Sequence, residues 1–260
     1  MTTAPIRVEV NGQAATAEQL RHPALVNYGH FTAMQVRDGA TRGLALHLAR
    51  LEAATRELFD ASVDPDEMRD HIRHALADDR DASVRVSVFW PETQDVASVM
   101  VAVRQPMDPP DTPQSLMSVP YQRPVPHLKH AGSFAQIYYG RLAERHGFDD
   151  ALLTGADGSI SESTISNFAV YDGETVIWPD APCLAGVTMQ LLQASLGGAG
   201  VATRRAPVRL ADVPSVAAAF VTNSRGVAPV VRIDDTTIPV DAGLMKTIGE
   251  VCGSMPWDPI

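Results

Sequence analysis

An α+β fold in two parts is predicted by three features of the sequence. The first hundred residues mix alternating runs with helix-period runs, seven prolines crowd between Pro106 and Pro126, and the remainder consists of short apolar runs punctuated by Asp-Gly pairs. Alternation with period two marks strands, and apolar residues three or four apart mark amphipathic helices. Proline-dense stretches cannot continue a helix or a central strand, so they are natural boundaries. The division expected is a small domain over 1–112, a linker over 113–126 and a larger domain over 127–260.

The opening IRVEVNGQ reads as a strand entering a turn, and HFTAMQVRDGATRGLALHL as a hairpin turning at Asp38–Gly39. A helix follows, because Leu44, Leu48, Leu51, Thr55 and Leu58 recur on one face. Asp64 with Pro65 signals the start of a second helix. SVRVSVFW and SVMVAVRQ complete the first part as strands, the second nearly all apolar. In the second part, SFAQIYYGRLAERHG predicts a helix with Phe134, Ile137, Tyr138 and Leu142 along one stripe and Gly147 as its stop. Three strand-like runs then follow, joined at Asp157–Gly158 and Asp172–Gly173, both strong hairpin signals. AGVTMQLLQASLGG is a short helix, and AAAFVTNSRGVAPVVRI is a strand, a polar turn and a strand.

Of 260 residues, 45% are hydrophobic and 20% charged, the balance of a folded globular chain with a full core. A net charge of −10 speaks against nucleic acid or an anionic membrane as partner, since either needs a basic face. No stretch reaches a membrane span and no leader is apparent at the start, so a cytoplasmic location is expected. Cys183 and Cys252 have no metal or disulfide spacing and are expected to be buried thiols in a reducing compartment. His71 and His74, three apart on the second helix, lack a third ligand, and no metal is expected.

The stretch HLKHAGS at 127–133 carries the chemical question. Nineteen of the 21 basic residues are arginine, leaving only Lys129 and Lys246 as lysine. A lysine can lose its proton and attack a carbonyl where arginine cannot. Lys129 precedes the helix that begins near Ser133, whose positive end disfavours a second charge. The ordinary alternative is a lysine lying on the surface. Glu162, in SISESTISNF, either faces solvent or holds a partner such as a protonated aromatic nitrogen. Gly186 opens a helix whose Val187 and Thr188 amides would suit a phosphate, although a glycine before a helix is common. TNSRG at 222–226 offers hydroxyls and amides, or is an ordinary turn.

The order of these features resembles the class IV aminotransferases, the fold-type IV family that includes branched-chain and D-amino-acid aminotransferases and aminodeoxychorismate lyase. The resemblance rests on KHAGSFAQIYYGRLAERHGFDDALLTGADGSISESTISNFAVYDG and LAGVTMQ, with HLARL at 47–51 and FVTNSRGVAPV at 220–230, and spans about Ile6 to Ile238. It implies a small α/β sandwich domain, a larger β-rich pseudo-barrel domain with helices, and two-fold homodimers. It also implies pyridoxal 5'-phosphate as cofactor. Lys129 would hold it as a Schiff base and shuttle a proton, and Glu162 would pair with its ring nitrogen. Arg50, Gly186, Val187, Thr188, Asn223 and Ser224 would surround its phosphate. Phe31 and Arg85 would lie near the substrate. The implied reaction moves an amino group from an amino acid to a 2-oxo acid, with aminodeoxychorismate lyase chemistry or a non-catalytic binding role as alternatives. Departures from the branched-chain pattern lie at Phe134, where those enzymes carry tyrosine, and at Phe31–Thr32–Ala33. The D-amino-acid pattern has an arginine that the run WPE at 90–92 lacks. Lyase members look closer in the Lys129–His130 pair and in Phe31–Thr32.

Overall fold

A computed structural model describes residues 7–91 and 94–260; Ile6, and Glu92 of the WPE run, lie outside them. The chain forms two compact units. The first holds the described residues up to Met107 together with Leu128–Gly132 and Pro256–Ile260, and the second holds Asp108–His127 and Ser133–Met255.

The first unit is an antiparallel sheet with strands β1 (Arg7–Val10), β2 (Gln13–Ala14), β3 (Gly29–Arg37), β4 (Ala40–Thr41), β5 (Ala82–Phe89), β6 (Ser98–Arg104) and β16 (Asp258–Pro259). Their order is β16-β4-β3-β5-β6-β1-β2. The turns at Asn11–Gly12 and Asp38–Gly39 take the left-handed backbone that Asn-Gly and Asp-Gly pairs supply, φ 52° and 73° in the first, 50° and 73° in the second. Helix α1 (Ala17–Leu25) starts from a capping box between Thr16 and Gln19 and buries no side chain. Helices α2 (Leu44–Phe59) and α3 (Pro65–Leu76) cover one face of the sheet. There Leu44, Leu48, Leu51 and Ile72 pack on Val84, Val86, Val101 and Val103. Asp64 caps α3 as expected, accepting from the amides of Asp66 and Glu67. The alternate residues of β5 and β6, among them Arg85, Ser87, Met100 and Arg104, point to the other face.

The second unit is built on strands β7 (Gln114–Pro120), β8 (Asp150–Thr154), β9 (Ile160–Ser163), β10 (Asn167–Tyr171), β11 (Thr175–Pro179), β12 (Ala202–Ala206), β13 (Ala218–Asn223), β14 (Gly226–Ile233) and β15 (Thr236–Thr237). The order β12-β11-β10-β13-β14-β7-β8-β9 closes on itself, because β9 also pairs with β10. Six strands thus form a barrel, with α4 (Phe134–Arg145), α5 (Val187–Ser195) and α6 (Ala242–Ser254) around it.

Five features differ from the sequence reading. The segment 113–126, expected as a linker, contains β7, hydrogen-bonded in parallel to both β14 and β8. Its prolines sit at the two ends and leave a proline-free run, Gln114–Val119, long enough for a strand. Lys129, expected in the larger domain, is bound to the first unit. The Phe31 amide donates to its carbonyl at 2.9 Å and the Ala131 amide to Gly29 at 2.8 Å, which adds a short bridge to β3. The run ISESTISNFAVY, read as one strand, is two, β9 and β10, folded at 164–166. Finally, the stripe on α4 is exposed: Phe134 is 79% accessible, Ile137 52% and Tyr138 47%, while Gln136 and Ala143 are buried. Cys183 and Cys252 are half-buried rather than buried. No helix among the described residues is long and apolar enough to cross a membrane.

Candidate active site

In the second unit the fold at 164–166 brings Glu162 opposite Asn167. Ser163 makes this turn without glycine: its amide donates to the Ser166 carbonyl at 2.8 Å, and its hydroxyl accepts from the Ser166 amide at 3.1 Å. Glu162 is buried, and each of its carboxylate oxygens has a donor. Oε1 accepts from Arg123 Nη1 at 3.0 Å, and Oε2 accepts from the Leu184 amide at 3.2 Å. Arg123, itself buried, also donates from Nη1 to the Pro126 carbonyl at 3.0 Å. The two carboxylate oxygens each keep a further lone pair. Burial first, then the Glu162 charge, raises the neighbouring Cys183 thiol above its ordinary value.

Asn167 ties this carboxylate to the start of α5. Its amide donates to the Leu184 carbonyl at 2.7 Å, and a Cβ at Gly186 would overlap its Oδ1. The glycine is therefore required by close approach, its φ of −62° being ordinary. No side chain caps α5, which leaves the amides of Val187 and Thr188 at its positive end. The Thr188 hydroxyl donates to the Asn223 carbonyl at 2.8 Å and so joins α5 to the turn carrying Ser224. Asn223 holds that turn, accepting from the Arg225 amide at 2.8 Å and donating to Ser166 Oγ at 2.8 Å. Thus Glu162, Gly186, Val187, Thr188, Asn223 and Ser224 belong to one connected cluster. Gly186→Ala should displace Asn167 and cost about 1–3 kcal/mol of stability. Thermal melting, together with affinity for a pyridoxal-phosphate analogue, checks this, and both should fall.

In the first unit, Lys129, Phe31, Arg50 and Arg85 form a second cluster. Lys129 Nζ lies 4.9 Å from the centroid of the Phe31 ring, and the Arg85 guanidinium carbon lies 3.5 Å from it. Arg50 Nη1 donates to Thr32 Oγ1 at 3.4 Å, and that hydroxyl lies 2.6 Å from His47 Nδ1. The Thr32 hydroxyl thus joins the Arg50 guanidinium to the His47 ring. Burial pulls His47 from 6.5 to about 3, with the Arg50 and Lys129 charges adding, and lowers Arg50 to about 10. His30, bonded to Thr55 Oγ1 at 2.9 Å, falls to about 4 by burial.

These histidines set the acid sensitivity. The unfolded chain takes up protons near pH 6.5, and the folded chain only near 4 and 3. Their contribution is therefore full above pH 6.5 and falls as pH drops through that window, by up to about 1.4 kcal/mol per pH unit for each group. Equilibrium unfolding between pH 7 and 4 should show stability falling with pH, and His47→Gln should flatten the slope.

The sequence reading missed Arg123, Asn167, Thr32 and His47 as members of these clusters. HLARL contained one signal, since His47 and Arg50, three apart, share a helix face.

Residues 29–233 match the amino-transferase class IV family. The chain belongs to the class IV aminotransferases. These are pyridoxal-phosphate-dependent enzymes, and the chain is an enzyme of this family with a fold-type IV α+β architecture. No curated protein matches it significantly. Among solved structures it is similar to a hypothetical aminotransferase from Mycobacterium tuberculosis in its PLP-bound form, at 20% identity over 90% of both chains and a TM-score of 0.81. It is also similar to the branched-chain amino acid aminotransferase of Escherichia coli, at 15% identity over 98% of this chain and 95% of that one, TM-score 0.83. A putative 4-amino-4-deoxychorismate lyase from Legionella pneumophila matches at 18% identity over 88% and 92%, TM-score 0.81. At these identities the likenesses speak for the fold.

The residues present fit the family's cofactor. In the second unit, an uncapped helix start beside a glycine that admits no Cβ suits a phosphate, and a buried carboxylate suits a protonated ring nitrogen.

Proposed function

We propose that this class IV enzyme is a pyridoxal-phosphate-dependent aminotransferase that moves an amino group from an amino acid to a 2-oxo acid. The observation that carries the reading is the pairing of a buried, twice-bonded Glu162 with the uncapped start of α5 in one cluster. Pyridoxal phosphate, when bound, supplies an electron sink for the negative charge that develops on the substrate carbon. Lys129 would supply the primary amine that holds the cofactor through its aldehyde and would carry the proton to and from the substrate carbon. Glu162 would keep the proton on the ring nitrogen. The amides of Val187 and Thr188, Ser224, the turn held by Asn223, and Arg50 would bind the phosphate. Gly186 would let the backbone approach it. Thr32 and His47 hold the Arg50 guanidinium in place, the hydroxyl bonded to both side chains and the imidazole neutral. Phe31 and Arg85 lie toward the substrate.

The Lys129–His130 and Phe31–Thr32 pairs favour the lyase chemistry of aminodeoxychorismate lyase as a second reading. An assay of 2-oxo-acid-dependent amine transfer, run beside pyruvate release from aminodeoxychorismate, separates them. Transfer without release supports the first reading; release alone supports the second.

A homodimer and a cytoplasmic location complete the proposal. The exposed Phe134, Ile137 and Tyr138 on α4, with Phe134 and Tyr138 stacked at 6.1 Å, favour a second copy as the cover of that stripe. Sedimentation should give twice the 27.9 kDa chain mass, and Phe134→Asp with Ile137→Asp should shift it toward that of one chain.

A further inference from the structure

Helix α2 begins without a cap of its own. Gly43, at its N-cap, has no side chain and a left-handed backbone with φ 68°, and no acidic residue stands in the first turn. The missing acceptor comes instead from Asp258 on β16, 214 residues further along, whose Oδ2 accepts from the Leu44 amide at 2.9 Å. A carboxylate there also answers the positive end of a 16-residue helix.

Its neighbours hold Asp258 in that place. Strand β16 pairs antiparallel with β4, Asp258 opposite Thr41 and Pro259 opposite Ala40. The Ile260 amide donates to the Gly39 carbonyl at 3.1 Å, its carbonyl accepts from Arg73 Nε at 3.3 Å, and its side chain packs on the core that α2 and α3 cover. On the other side, the Arg42 guanidinium carbon lies 4.2 Å from the centroid of the Trp257 ring. None of these contacts uses the Asp258 carboxylate. What the carboxylate holds is the first turn of α2, where the His47 amide donates to the Gly43 carbonyl at 3.1 Å. His47 ends this turn, and its ring meets the Thr32 hydroxyl that Arg50 also reaches. Arg50 follows within the next turn, about 9 Å along the helix from Leu44.

We propose that Asp258 is a positioning residue for Arg50. By fixing the start of α2 it fixes where His47 meets Thr32, and thereby the direction in which Arg50 presents its guanidinium. A turn frayed at Leu44 would let the His47 ring leave Thr32, and the hydroxyl would orient Arg50 less firmly. Affinity for a phosphate ligand therefore depends on β16, although no residue of that strand belongs to either cluster of the site. The link to the cofactor rests on the role proposed for Arg50; the fixing of α2 does not.

The test compares ligands with and without the phosphate, bound to the full chain. Asp258→Ala should weaken binding of pyridoxal phosphate by about fivefold, the usual worth of a helix cap, and leave pyridoxal, which lacks the phosphate, bound as in the wild type. Asp258→Asn keeps an acceptor for the Leu44 amide and should retain most of the affinity. With Arg50→Met already present, Asp258→Ala should change nothing further. Amide hydrogen exchange at Leu44 and His47 should quicken in Asp258→Ala. Asp258→Leu, which fills the space of the carboxylate, gives the same readings if the alanine variant does not fold. Equal weakening of both ligands, unchanged affinity for pyridoxal phosphate in a folded variant, or an undiminished further loss beside Arg50→Met overturns the proposal. If the wild type binds neither ligand, the aminotransferase reading alone fails and exchange decides: faster exchange at His47 sustains the positioning of α2 by Asp258, and unchanged exchange overturns it.

Discussion

Lys129→Ala is expected to remove amine transfer almost completely, with kcat reduced by at least about 10²–10⁴, the usual worth of a positioned proton carrier. The loss should exceed this range because, in the function proposed, the same amine would also hold the cofactor. Folding should survive. The segment is held through its backbone, by Phe31 donating to the Lys129 carbonyl and Ala131 to Gly29, and neither bond involves the lysine side chain. Steady-state kinetics with a melting curve checks both halves: activity near background, and a melting temperature within a few degrees of wild type. Lys129→Arg should be equally inactive although it keeps the positive charge, since a guanidinium does not attack an aldehyde.

Disruption of the Arg123–Glu162 pair should produce the second large effect, and here stability and activity part. Both side chains are buried, so Arg123→Met would leave the carboxylate with the Leu184 amide in place of two donors. Removing one partner of a buried ion pair costs about 3–5 kcal/mol. The double variant Arg123→Met, Glu162→Met removes both charges and should recover much of that loss. Activity should stay low in the double variant, because the acid proposed to hold the ring nitrogen's proton is then gone. Glu162→Gln should lower kcat and cost some stability, for an amide fills the same space but has one acceptor oxygen in place of two, so it accepts from Arg123 or from Leu184 and not from both. Urea unfolding and kcat across these variants form a double-mutant cycle that separates the two roles.

Much of the fold was legible because it depends on local chemistry. Asn11–Gly12 and Asp38–Gly39 turn where their left-handed backbones allow. Asp64 caps α3 with its own carboxylate, and α2 buries the face its leucines mark. What escaped the reading depends on partners distant in sequence or on subtler turn chemistry. The turn at 164–166 has neither glycine nor proline, so the run around it looked continuous; the Ser163 hydroxyl makes the turn. Strand β7 lay hidden among prolines that in fact flank it. The apolar period of α4 correctly marks one stripe, but periodicity does not say what covers it.

The candidate site divides in the same way. Lys129 stood out by contrast with an arginine-biased composition, and Gly186 by its place before a helix. Arg123 had no such contrast, being one of 19 arginines with its partner 39 residues away. Thr32 acquires a role only through pairing: the register of β3 with β5 and the packing of α2 bring it to His47 and Arg50.

The central claim is that the Lys129 amine bonds to the cofactor. Protein purified with pyridoxal phosphate should absorb visible light, and borohydride should bleach that absorbance and fix the cofactor to the chain. Peptide mass spectrometry should then find the added mass on Lys129. Label on Lys246, or a cofactor that dialyses away after reduction, would contradict it.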